Sequence, residues 1–173
     1  MKFTLEHAVE ILEHAPLTLE AMLRNLSPEW THSAGDQDNW SPYDVVGHLI
    51  HGEETDWMPR AEIILAQGAD RTFVPFDRLA QFEKSRGKSL ADLLSEFAYL
   101  RRNNVEKLTG WKLTPEQLAL KGMHPELGEV TLEQLLATWV VHDLNHIKQI
   151  VTRMASKFTD EVGPWKQYLS ILK

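Results

Sequence analysis

The stretch that most restricts the fold opens at Thr131-Leu132-Glu133-Gln134 and continues to about Ser156. Thr131 and Gln134 have capping-box spacing, so a helix starts there. Leu136, Val140, Leu144, Ile147, Val151 and Met154 then recur at helical intervals, and the spacing predicts that this stripe faces the core. An amphipathic helix of that length must bury its stripe against other elements. Three further segments share the signature, with almost no strand signal between them. The first covers roughly residues 4 to 26, with a kink or loose turn expected at Pro16. The second starts at Ser41, with Pro42 at the first helical position and Asp44 against the helix dipole, and is expected to run to about Ala66 with a kink at Pro59. Ser89 caps the third, on which Leu90, Leu93, Leu94, Phe97 and Leu100 line up. A polar loop with Gly35, Asp36 and Asn39 precedes Trp40. Residues 68–88 read as a long irregular connection with a short helical piece, of the kind that borders binding sites. Residues 110–130 read as a second long loop, with a tight turn from His124-Pro125 to Gly128. A short helix around 164–172 closes the chain. The expected fold class is all-α: a four-helix bundle in one domain over residues 1–173, with long 2–3 and 3–4 connections.

Composition narrows the function. The formal charge of −7 and the absence of a basic cluster argue against nucleic acid as a partner. The longest apolar run, LLATWVV, is far too short to span a bilayer, so no membrane partner is expected. The N-terminus, MKFTLEHAVEILEHAP, lacks the continuous apolar core of a signal peptide. Without cysteine there is no disulfide, thiolate ligand or cysteine nucleophile, and a cytoplasmic location is expected.

The chemistry concentrates in WVVHDLNHIKQI. His142 and His146 are four apart and project together from one side of a helix. With eight histidines in the chain that spacing alone is weak. Position strengthens it, because both lie at the edge of the apolar stripe, beside Leu135, Trp139, Ile150 and Arg153. An unpaired imidazole facing a partly dry interior is costly. The second helix offers a third nitrogen in His48, at the edge of a stripe of Val45, Val46, Leu49 and Ile50. His51 competes for that role but is expected to turn further towards water. Gly47 and Gly52 would let another backbone or a ligand come close. Three imidazoles without a thiolate match an open, catalytic type of metal site. Such ligands suit zinc, nickel, copper or iron.

Glu53 and Asp56 fall on the inner side of the second helix, and Asp143 near the stripe of the last. Each could orient a ligand imidazole or act as a base, the simpler alternative for Glu53 and Asp56 being a salt bridge to a neighbouring helix. HDLNH is not HExxH, since Asp143 stands where that motif has its glutamate. Arg153 could meet a charged substrate or extend to solvent. Trp139 is expected to wall a pocket, with Phe73, Phe76 and Arg78 from the 68–88 connection as further contacts and His51 as another.

These segments resemble the DinB-like superfamily of metal-binding four-helix bundles. NWSPYDVVGHLIHGEETDW and LLATWVVHDLNHIKQI carry the specific part of the resemblance, which extends along essentially the whole chain. It implies that His48, His142 and His146 bind a divalent metal, often zinc or nickel, near one mouth of the bundle, in what is frequently a homodimer. It also implies a small-molecule substrate and a metal-dependent reaction. That reaction is either hydrolysis or transfer using a low-molecular-weight thiol cosubstrate such as mycothiol or bacillithiol. A metal- or ligand-binding module without catalysis is the alternative.

Overall fold

A computed structural model describes residues 1–32 and 39–173 of the chain. Gly35 and Asp36, placed in a polar loop on sequence grounds, lie outside the described residues. The long helices are α1 (Leu5–Leu23), α3 (Pro42–Thr55) with its continuation α4 (Trp57–Ala66), α6 (Leu90–Gly110) and α8 (Leu132–Ser156). Short helices α2 (Pro28–Thr31), α5 (Ala80–Lys84) and α7 (Pro115–Leu118) sit in the connections. The four long units form a bundle in which α1 packs on α6 and α8, and α3 packs on the same two neighbours. No helix of the described residues is long and apolar enough to cross a membrane.

The starts of these helices follow from local chemistry. Ser41, Ser89 and Thr131 each accept a hydrogen bond from the third residue of their helix, whose side chain bonds back to the cap. Proline acts differently at its two helical positions. The second helix is not one kinked rod: it breaks at Asp56, before Pro59, and Pro59 falls in the first turn of α4. Pro59 cannot donate to the carbonyl four residues back and its ring crowds it, so the interruption precedes the proline. Pro16, by contrast, leaves α1 unbroken. The carbonyl of Leu12, which lacks its helical donor there, accepts instead from Arg101 Nη1 at 2.8 Å.

The 110–130 connection corrects the sequence reading. In place of a plain loop it holds an antiparallel hairpin, β1 (Lys121–His124) with β2 (Gly128–Thr131), registered Lys121 to Thr131 and His124 to Gly128. Gly128 closes the turn at φ 77°, and His124 Nδ1 accepts from the backbone N–H groups of Glu126 and Leu127, both at 3.2 Å. The 68–88 connection docks on the hairpin, since Phe73 N donates to Met123 O and Met123 N to Arg71 O, both at 2.9 Å. Gly122 permits this: a Cβ there would lie 2.6 Å from the Phe73 ring. Phe73, expected to touch substrate, is therefore a core residue at 1% exposure. The C-terminal segment forms two 3-10 turns, Gly163–Tyr168 and Ser170–Leu172, rather than one α-helix.

The buried face of α8 is also not the one the apolar spacing selects. Leu135, Leu136, Trp139, Asp143, His146 and Ile150 are buried, whereas Leu144 is 48% exposed. The helix is turned by about a quarter of a revolution, towards the histidines. What makes that orientation tolerable lies beneath the site.

Candidate metal centre

His48 on α3 and His142 and His146 on α8 meet at one end of the α3–α8 contact. His142 Nε2 lies 3.1 Å from His48 Nε2 and 3.1 Å from His146 Nε2. One nitrogen from each ring falls within 4.8 Å of the other two, the only such potential metal-holding group found among the described residues. Four-coordinate zinc at about 2.0–2.1 Å from each nitrogen would separate its ligands by about 3.3 Å. Two of the three separations match that spacing and the third is within 4.8 Å, so the residues fit a divalent ion.

Electrostatics agree with the geometry. Burial, reinforced by the other two histidines, His51 and Arg78, pushes the His48 imidazole down to about 2. Burial, with His142 next, takes His146 down to about 4. Both are neutral at physiological pH, the state a metal requires. His146 Nδ1–H donates to Gln149 Oε1 at 2.8 Å, which turns Nε2 towards the cluster. Nδ1 of His48 and of His142 are buried and have no hydrogen-bond partner among the described residues. The distance from His142 Nδ1 to Asp143 Oδ1, 3.9 Å, is too long for a hydrogen bond. Gln149, not an acid, orients a ring of the cluster, and its position three residues after His146 was the available signal.

The acids are engaged elsewhere. Arg101, 1% exposed, donates to Glu53 Oε1 from Nε (3.1 Å) and Nη2 (2.7 Å). It also donates to Asp143 Oδ2 from Nη1 (2.5 Å) and to Oδ1 from Nη2 (3.1 Å). Trp139 Nε1 and Asn104 Nδ2 add donors to Glu53 at 3.1 and 3.0 Å. Burial works against the guanidinium, but Glu53 and Asp143 outweigh it and raise its pKa above the ordinary value. With Leu12 O from α1, this network joins all four long units of the bundle and explains why α8 can bury Asp143. Asp56 is ion-paired with Arg60 at 2.6 Å, and burial pushes its carboxyl up against the opposing pull of Arg60 and His142.

Arg101 was missed in the sequence although a signal existed. It occupies the core position between Phe97 and Val105 on α6, where an arginine needs buried acids. Two other expectations change. His51 is buried rather than turned to water, because the 68–88 connection covers it: Lys84 Nζ is 3.1 Å from its Nδ1 and the Phe76 ring 4.8 Å from its own. Trp139, expected to wall a pocket, is fully buried and stacks on Trp57 at 5.8 Å.

The cluster opens into a cavity of about 910 Å³. Trp40, Phe76 and Arg78 line it together with Asn145, Lys148, Gln149, Thr152, Arg153 and Ser156 of α8. Trp40 stacks near-parallel to His146 at 6.3 Å and lies 4.8 Å from His48, so an aromatic wall adjoins the nitrogens.

A helical bundle with three converging imidazoles at the head of a cavity defines a class of protein built to carry a metal site between helices. The family model of the DinB superfamily matches residues 11–150, and the chain belongs to that superfamily. Among solved structures, one of similar fold is YfiT from Bacillus subtilis, described as a probable metal-dependent hydrolase with an unusual four-helix bundle topology. The two share 20% identity over 90% of each chain, with a TM-score of 0.76. No curated protein matches the chain.

Proposed function

We propose that the chain is a divalent-metal-dependent enzyme acting on a small molecule in the cavity beside α8. Hydrolysis is the proposed reaction and zinc or nickel the proposed ion. The observation that carries this reading is the convergence of the three imidazole nitrogens at the head of the cavity. The description of YfiT as a probable metal-dependent hydrolase supports it from outside the chain.

His48, His142 and His146 would hold the ion, which when bound supplies Lewis acidity to polarise a carbonyl and acidify a nucleophile. The other residues serve that chemistry without entering it. Gln149 keeps the lone pair of His146 directed inward, and the Arg101 network holds α3 and α8 in register. Trp40 and Phe76 line the cavity beside the nitrogens, their rings 4.8 and 5.3 Å from that of His48.

One observation favours thiol transfer as a second reading. The described residues lining the cavity include no aspartate or glutamate to serve as a base. A thiol, with a pKa near about 8.5, needs less help to ionise than water does.

The test compares ion-loaded wild type with His142→Ala on ester and thiol-conjugation substrates. About one ion per chain, lost in the variant together with ester hydrolysis, is the expected result. Conjugation without hydrolysis would select the thiol reading. Equal inertness of both proteins across the two panels would reduce the chain to a binding module.

A further inference from the structure

Away from the histidines, the described lining of the cavity carries charge of one sign. Its described lining holds Arg78, Lys148 and Arg153 and no acid, in a chain of net charge −7. Elsewhere several described basic side chains find acids: Lys84 pairs with Glu54, Lys88 with Glu96, Lys107 with Glu62 and Lys121 with Glu129. Among the described residues none of the three cavity cations does so. Arg153 goes further, because its Nε is buried without an acceptor among the described residues. An orphaned buried donor is costly, so an acceptor arriving with a ligand would relieve it.

The cations are also well spread. Arg78 lines the cavity from the 68–88 connection, its guanidinium carbon 5.9 Å from the Trp40 ring centroid, and so beside the histidine cluster. Arg153 lies two turns beyond His146, about 10 Å along the helix axis. Lys148 sits between them in sequence. Guanidinium groups offer paired donors that match a planar oxyanion. A cleft with unopposed positive charge concentrates anions within it.

We propose that the cavity takes a small molecule bearing an anionic oxygen group, carboxylate or phosphate monoester, with Arg78 and Arg153 as its counter-charges. The inference names a substrate class for the enzymatic reading above and rests on it. The reacting end of the molecule lies at the histidines, and the anionic end further along α8.

The decisive measurement is binding to the full chain, followed by tryptophan fluorescence, in ion-loaded and ion-free forms. The probes are glutarate, glycerol phosphate and the neutral glutaramide. The ion-free form removes direct ligation of the metal by a carboxylate. At least one anion should bind about tenfold tighter than glutaramide in both forms, and Arg78→Gln and Arg153→Gln should each remove about tenfold of that affinity. The preference should shrink as salt rises. Glutarate against glycerol phosphate distinguishes carboxylate from phosphate. Glutaramide binding as tightly as both anions, or both variants binding the anions like wild type, would overturn the proposal. Circular dichroism and ion stoichiometry of the variants establish that the fold is intact.

Ester turnover separates this inference from the reading beneath it. Wild type should cleave mono-4-nitrophenyl succinate faster than the neutral 4-nitrophenyl pentanoate, with the difference reduced in both variants. A chain that binds the anions through both arginines yet cleaves neither ester keeps the anion site and loses the hydrolase assignment.

Discussion

Asp143 and Arg101 meet through two hydrogen bonds, of 2.5 and 3.1 Å, with both side chains only 1% exposed. Asp143 stands directly after His142 and three residues before His146, so the pair sets the rotation of α8 about its axis. Glu53, on the same guanidinium, does likewise for α3 five residues beyond His48. The network therefore aligns the two helices that supply the cluster.

Arg101→Met should be strongly destabilising. Removing the cation leaves two buried carboxylates without a counter-charge, a change that costs about 3–5 kcal/mol. Urea denaturation of the ion-free protein measures it, and a loss below about 1 kcal/mol would show that the network does not bear on the fold.

Gln149→Leu tests the orientation of His146 without touching a ring of the cluster. The variant keeps the volume of the side chain but loses the acceptor for Nδ1–H. Ion affinity should fall about 10–100-fold, as when other partners of ligand imidazoles are removed. Competitive titration with a chromogenic chelator reads this directly; unchanged affinity would remove Gln149 from the site.

Acid should destabilise the ion-free chain in a defined window. His48 and His146 are depressed to about 2 and about 4 in the fold, against 6.5 as the ordinary value. Below 6.5 the unfolded chain takes up protons that the fold refuses, so stability is full above that point and declines as pH falls. The His146 part is exhausted near pH 4, whereas that of His48 continues lower. For His146 alone the loss is on the order of 3 kcal/mol. Thermal unfolding of wild type and His146→Gln between pH 7 and 4 checks this, with a shallower decline expected in the variant.

Gly122→Ala should disturb the hairpin and the connection together. The added methyl would lie 2.6 Å from Phe73 and 2.8 Å from Ile64, both side chains buried in the core. Overpacking of this kind costs about 1–3 kcal/mol. Chemical denaturation reads the cost, and a neutral substitution would mean that Phe73 has another place to go.

Much of this was legible from local pattern. Helix starts at Ser41, Ser89 and Thr131 depend on residues three apart, so the sequence displays them directly. The three histidines could be singled out because helical spacing places His142 with His146, and His48 stands at the edge of an apolar stripe. The hairpin was harder to see. KGMH and GEVT are short and weakly strand-forming, and their pairing is stabilised by Arg71 and Phe73 from a distant connection.

By itself, then, the sequence determined the helices, their caps and the identity of the convergent imidazoles, since each depends on neighbours within a turn or two. Only the tertiary structure decided which way α8 faces. Apolar spacing directs Leu144 inward, but Asp143 and His146 occupy the interior because Arg101, from α6, neutralises the carboxylate and completes its hydrogen bonds. It likewise decided that Glu53 and Asp143 serve the scaffold and that the described cavity lining is cationic. Burial of charge depends on partners far apart in the chain, and no local periodicity reports them.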